Sequence, residues 1–294
     1  MRNKYLVDAQ WLEAHLDDDD LRIFDCTVHR WIGPEGSLRI ERGDAEYKQG
    51  HIPGAGHLDL VHDLSDPESK WRFTLPTGER FADAVSRQGV SDNSRVVLYG
   101  TREFQYPARV WWMFRVFGFD SVALLDGGWQ AWSREERPTA NTAPNHSQGV
   151  FTPRFRPELL ADKRAVLAAI GAPGSCVVNA LSPDIHSGET LVHFGPKGTS
   201  GRKGHIAGSI NLSALDLVDS ATNQFLEQDA LAAKFAKQGI LDKDRVITYC
   251  GAGIAAAGDA FGLALLGKDN VAVYDASLQE WAGDPGLPME EGAG

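Results

Sequence analysis

The chain has 294 residues, with 43% hydrophobic, 9% aromatic and 23% charged side chains. That is globular usage and excludes a mini-protein or a disordered chain, and the length suits two domains. Lys and Arg number 29 against 40 Asp and Glu, a net charge of −11, so the overall field repels nucleic acid and anionic lipid. Three cysteines, Cys26, Cys176 and Cys250, occur without a CxxC pair, which argues against a disulfide framework or structural zinc and for a reduced, cytoplasmic setting. No apolar run reaches the roughly 18 residues of a membrane span.

The first half opens with an acidic run, Asp17–Asp20, read as a solvated turn. A β-rich apolar strand, LRIFDC at 21–26, precedes KQGHIPGAGHLDL at 48–60. Then come a helical pattern over Thr77–Gln88, a strand RVVLY at 95–99 and a helix from Pro107 to Phe117. A third strand, VALLD, runs into DGGWQAW at 126–132. Residues 136–157, rich in Pro, Ser, Thr and Asn, read as a linker. The second half offers SCVVNAL at 175–181, RKGHIAGSINLSAL at 202–215 and a helix over Asp229–Gln238. The strand RVITYC at 245–250, a helix over Ile254–Leu266 and a strand VAVYD entering YDASLQEW at 274–281 complete it.

The two halves say nearly the same thing. Gly50 and Gly204 of the GHI segments, Gly100 and Cys250 at the strand ends, and Asp126 and Asp275 all lie about 150 residues apart, in one order. A period this long makes each copy a domain, 1–135 and 158–294. Strands apolar on both faces with helices between them predict an α/β fold in each, a mainly parallel sheet with helices on both faces. Chemistry is expected at the carboxyl ends of the strands.

Cys250-Gly251-Ala252-Gly253-Ile254-Ala255 is the strongest candidate site. A buried strand delivers the cysteine, two glycines let the backbone curl around its sulfur, and a helix starts near Ile254 or Ala255. Main-chain N–H groups converging at a helix N-terminus form an anion cradle that favours a thiolate. The competing reading is a buried cysteine that merely packs, the expectation held for Cys26 and Cys176. His51 and His205 recur in both GHI segments, which points to loop hydrogen bonding. His186 and His193 read as loop residues, with no ligand spacing for a metal. Trp129, Trp132 and Trp281 read as packing anchors. Of the adjacent pair Trp111 and Trp112, one is expected to face the first core and the other the domain interface.

The paired GHI segments, the strand-Cys-Gly-x-Gly loop, DGGWQAW and YDASLQEW together resemble the tandem-domain rhodanese, or sulfurtransferase, family over residues 5–285. The resemblance implies two rhodanese-like domains, the first inactive because Gly100 stands where Cys250 stands in the second. It implies a Cys250 persulfide that carries sulfur from a small anionic donor, 3-mercaptopyruvate or thiosulfate, to a thiol or cyanide. No metal or organic cofactor is implied. CGAG is more similar to the CGSG of mercaptopyruvate enzymes than to the CRKG of thiosulfate enzymes. Ala252, Ala255, Asn179 and Leu181 depart from the family pattern, Leu181 standing where a substrate-binding Arg is usual. By analogy, Arg202, Lys203 and Lys197 are the cations expected to bind the donor; the alternative is a solvated basic loop. A related phosphatase is disfavoured because Ala256 stands where its Arg is required. A catalytically silent binding or regulatory module is the remaining alternative.

Overall fold

The structure, a computed structural model, describes residues 2–33, 38–192 and 201–292. The first half contributes β1 (Leu6–Val7), β2 (Leu21–Asp25), β3 (Val28–Ile32), β4 (Leu38–Arg42), β5 (Ala55–His57), β6 (Arg95–Tyr99) and β7 (Val122–Leu125). The second contributes β8 (Leu160–Ala161), β9 (Ser175–Asn179), β10 (His205–Ile206), β11 (Ile210–Asn211), β12 (Arg245–Tyr249), β13 (Val271–Tyr274) and β14 (Met289–Glu290). Two five-stranded parallel sheets result, β1-β7-β6-β2-β5 and β8-β13-β12-β9-β11. The strand order is the same in both, so the duplication read from the sequence extends to topology.

The central strands are RVVLY and RVITY, each buried from its second residue on. A strand covered on both faces and paired on both edges needs such a continuous apolar run. β12 sits between β9 and β13, with Ile247 opposite both Val177 and Ala272. Cys250 therefore leaves the sheet from its middle. The predicted helices form as Gly78–Arg87, Gln105–Val116, Gln228–Lys237 and Ile254–Leu265. Thr77 caps the first of them by accepting from the Arg80 N–H at 3.2 Å, as its side chain suits.

The helix Gln105–Val116 is buried at every residue because it is wedged between its own sheet and the helix Ile254–Leu265. Both tryptophans of this helix reach the second half, which corrects the expectation that only one would. Trp111 meets Phe261 edge-on at 4.9 Å, and the Trp112 indole N–H donates to the Leu159 carbonyl at 3.1 Å. A helix with no solvent face presents interface on two sides. Reciprocal hydrogen bonds then lock the halves about a pseudo-twofold. Asp126 accepts from the Phe225 N–H and Asp275 from the Leu75 N–H, each at 2.8 Å. Trp132 and Trp281, fully buried, anchor their own halves by donating to Pro138 and Pro288 carbonyls.

The acidic run is more than a solvated turn. Asp18 and Asp20 both grip Arg95 at the start of β6, Asp20 with two contacts of 2.7 and 2.9 Å, and the arginine holds the Asp20 carboxyl below its ordinary value. Among the described residues no helix is long and apolar enough to cross a membrane.

Asp259 breaks the pattern of the helix Ile254–Leu265. It is wholly buried, and neither carboxylate oxygen has a hydrogen-bond partner. Burial pushes its carboxyl well above the ordinary value, with Asp216 adding to the effect. A carboxyl raised on folding destabilises the native state increasingly as pH rises above the unfolded value of about 4. Asp259→Val is therefore expected to stabilise the protein by about 1–3 kcal/mol near neutrality, the cost of an unsatisfied buried polar group. Urea denaturation at pH 5 and pH 8 checks this: the gain should be larger at pH 8, and a gain that shrinks with pH would refute the assignment.

Candidate active site

β12 ends at Tyr249, and Cys250 opens a loop that closes at the helix Ile254–Leu265. Gly253 makes the turn possible. Its φ is +77°, and a Cβ there would lie 2.8 Å from the Asp275 carbonyl oxygen and 2.9 Å from Arg109 Nη1, so any side chain is excluded. The helix has no side-chain cap at Gly253. Among the described residues, the N–H groups of Gly251, Ala252, Ile254, Ala255 and Ala256 have no acceptor. These free amides ring the loop that begins with the cysteine, as expected of an anion cradle.

Ser277 holds the loop in shape. Its hydroxyl donates to the Tyr274 carbonyl at 2.7 Å and accepts from the N–H groups of Cys250 and Gly253 at 3.1 and 3.2 Å. Its φ of +51° is strained for a residue with a Cβ. The matching residue of the first half is Gly128, where a Cβ would meet the Gly100 carbonyl oxygen at 2.6 Å. The Leu278 and Gln279 N–H groups donate to the Cys250 and Gly251 carbonyls at 3.0 Å. Sequence reading missed Ser277. Its signal was the exchange of DGG for DAS between otherwise parallel motifs.

The cysteine is only 2% exposed, and it faces a cavity of about 50 Å³. The second half lines this space with Leu181 and the loop residues Gly251, Ala252, Ile254 and Ala255. The first half supplies Arg30, Leu38 and Ile40 from the β3–β4 hairpin, and Phe73, Glu103, Gln105 and Tyr106. Glu103 to Tyr106 follow Gly100, so the loop without a cysteine has become a wall for the loop that has one. Burial pushes the Tyr106 phenol above its ordinary value, so it faces the cavity as a neutral hydroxyl.

The cations expected at the donor site fall elsewhere. The Arg202 guanidinium donates to the carbonyls of Trp281, Ala282, Asp284 and Leu287 and lines no part of the cavity. Four main-chain acceptors at and beyond the end of the helix Ser277–Trp281 match its planar fork. Lys203 is exposed and also absent from the cavity wall. Lys197 and His193 lie outside the described residues. His186 is not a loop residue: it is buried on the helix Pro183–Ser187 and stacked on His205 at 3.7 Å. Burial, reinforced by His205, brings its pKa down to about 4. Asn179 contacts His186 Nδ1 at 3.0 Å and accepts from the Leu181 N–H at 3.0 Å, so it fixes the turn that aims Leu181. His51 bonds to the Tyr47 and Thr142 carbonyls, as loop hydrogen bonding requires. Among the described residues no cluster of His, Cys, Asp or Glu could hold a metal ion.

Comparison with known proteins agrees with this architecture. The rhodanese-like domain family matches residues 8–135 and 195–284. The 3-mercaptopyruvate sulfurtransferase of Escherichia coli K12 is 32% identical over 99% of both chains. The thiosulfate sulfurtransferase of Corynebacterium glutamicum is 32% identical, over 98% of this chain and 90% of its own. The crystal structure of SseA from Escherichia coli, a 3-mercaptopyruvate sulfotransferase, superposes with a TM-score of 0.80 at 31% identity, covering 93% of this chain and 98% of that one. Two parallel sheets in one strand order, a cysteine only at the second of two equivalent loops, and these full-length likenesses place the chain in the rhodanese-like family of two-domain sulfurtransferases.

Proposed function

We propose that Cys250 is the nucleophile that carries the sulfur, cytoplasmically, between a small anionic donor and a thiol or cyanide acceptor. The observation that carries this reading is the ring of unpaired amides around the loop that Cys250 begins. Its thiolate attacks the outer sulfur of the donor, and an S–S bond forms. With 3-mercaptopyruvate the C–S bond breaks, its electron pair leaves on carbon, and the thiol proton ends on the methyl group of pyruvate. With thiosulfate the S–S bond breaks and sulfite leaves with its electron pair. In both cases Cys250 is left as an anionic persulfide, held by the N–H groups of Gly251, Ala252, Ile254 and Ala255 as an oxyanion hole holds an oxyanion. An acceptor nucleophile then takes the terminal sulfur and regenerates the thiolate. Residues 1–135 act as the inactive domain, 136–157 as the linker and 158–294 as the catalytic domain.

Incubation with either donor followed by intact mass measurement tests the proposal. A gain of one sulfur atom, lost again on adding cyanide, is expected. No gain from either donor would favour a silent module built on the same fold.

A further inference from the structure

Arg30 is the one cation lining the Cys250 cavity among the described residues. Its hairpin neighbours are committed elsewhere: Arg39 to Glu41 and Arg42 to Asp59. Arg30 has only Glu103, at 3.8 Å, and the two side chains are 33% and 37% exposed. They form the charged end of a space lined otherwise by the apolar Leu38, Ile40, Phe73 and Leu181, the uncharged Gln105 and Tyr106, and the Cys250 loop. Leu181 occupies a place from which no charge can reach a donor, and Arg202 is spent on carbonyls.

Resting on the sulfurtransferase reading above, we propose that Arg30, from the β3–β4 hairpin of the half without the cysteine, binds the donor's anionic group, and that Glu103 beside it selects a monoanionic, carbon-bearing thiol over a dianion. A guanidinium takes a carboxylate in two parallel hydrogen bonds. When the donor arrives, the long contact to Glu103 is exchanged for that fork, while the carbon body lies against the apolar walls and the sulfur points to Cys250. Charges at this end then sum to zero before binding. A carboxylate leaves one uncompensated negative charge, a dianion such as thiosulfate leaves two, and Glu103 repels the second about twice as strongly.

Steady-state kinetics with 3-mercaptopyruvate and with thiosulfate, cyanide as acceptor, test this. Arg30→Gln is expected to raise KM for 3-mercaptopyruvate about tenfold or more, as loss of a charged hydrogen bond does, with the loss in kcat/KM carried by KM. Arg30→Lys should recover part of it. Glu103→Gln should lower KM for thiosulfate by a larger factor than KM for 3-mercaptopyruvate. Melting temperatures should stay close to wild type, since a half-exposed pair at this distance adds little stability. An unchanged KM in Arg30→Gln, with the wild type active, would overturn the role of Arg30 and leave the sulfurtransferase reading standing. A Glu103→Gln variant that favours neither donor would overturn the selection role. A wild type inactive with both donors would overturn the underlying reading itself.

Discussion

Cys250→Ser is expected to abolish persulfide formation and lower turnover by at least about 10³-fold, while the fold is retained. A hydroxyl occupies nearly the space of a thiol, and the shape of the loop is set by main-chain bonds to Ser277 and from Leu278 and Gln279, none of which uses the sulfur. What is lost is the polarisable sulfur nucleophile. The other two cysteines serve as internal controls. Cys26 is fully buried and its thiol is pushed well above the ordinary value; burial brings Cys176 up to about 11. Neither supplies appreciable thiolate at pH 7, so a donor-dependent gain of one sulfur atom should appear on the wild type and vanish from Cys250→Ser. A variant that still gains sulfur, or still releases pyruvate or sulfite at the wild-type rate, would remove Cys250 from the mechanism.

Much of this arrangement was legible from local pattern. RVVLY and RVITY announce central parallel strands because only a strand covered on both faces tolerates such runs, and CGAG announces the cradle because glycines next to a strand-end cysteine serve no packing purpose. The donor end of the site was not legible. Arg202 precedes the GHI segment that recurs in both halves, yet four carbonyls of 281–287 compete for its guanidinium, and a long-range backbone partner leaves no trace in spacing. Arg30 sits in a hairpin with weak alternation, about 220 residues before the cysteine it faces. Nothing local marks it as belonging to the other half's chemistry; only the pseudo-twofold packing of the two helices brings it there. The same holds for the Asp126 and Asp275 pair. Their repetition was visible, but its meaning, a carboxylate that accepts a main-chain N–H from the other half in each direction, depends on both halves at once.

Arg109→Met should be the most destabilising of the single substitutions considered. The guanidinium is completely buried and pairs with Asp275, which is 10% exposed at its side chain; it also donates to the Phe73 carbonyl and lies 4.4 Å from the centre of the Trp112 ring. Removing it leaves the Asp275 carboxylate with the Leu75 N–H at 2.8 Å and no counter-charge. Breaking a buried pair from one side costs about 3–5 kcal/mol, because the remaining charge is stranded. That corresponds to a fall in Tm on the order of 10 °C for a chain of this size. The double variant Arg109→Met/Asp275→Leu should recover part of the loss, since no charge is stranded, but not all, since the Leu75 N–H then lacks its acceptor. Arg109 also forms the floor beneath Gly253, so the cradle should loosen with it and persulfide formation should slow in step. Urea denaturation reads the first effect and single-turnover sulfur loading the second. A cost below about 1 kcal/mol would mean that water reaches Asp275 once the arginine is gone, and that the pair is not what joins the two halves beneath the site.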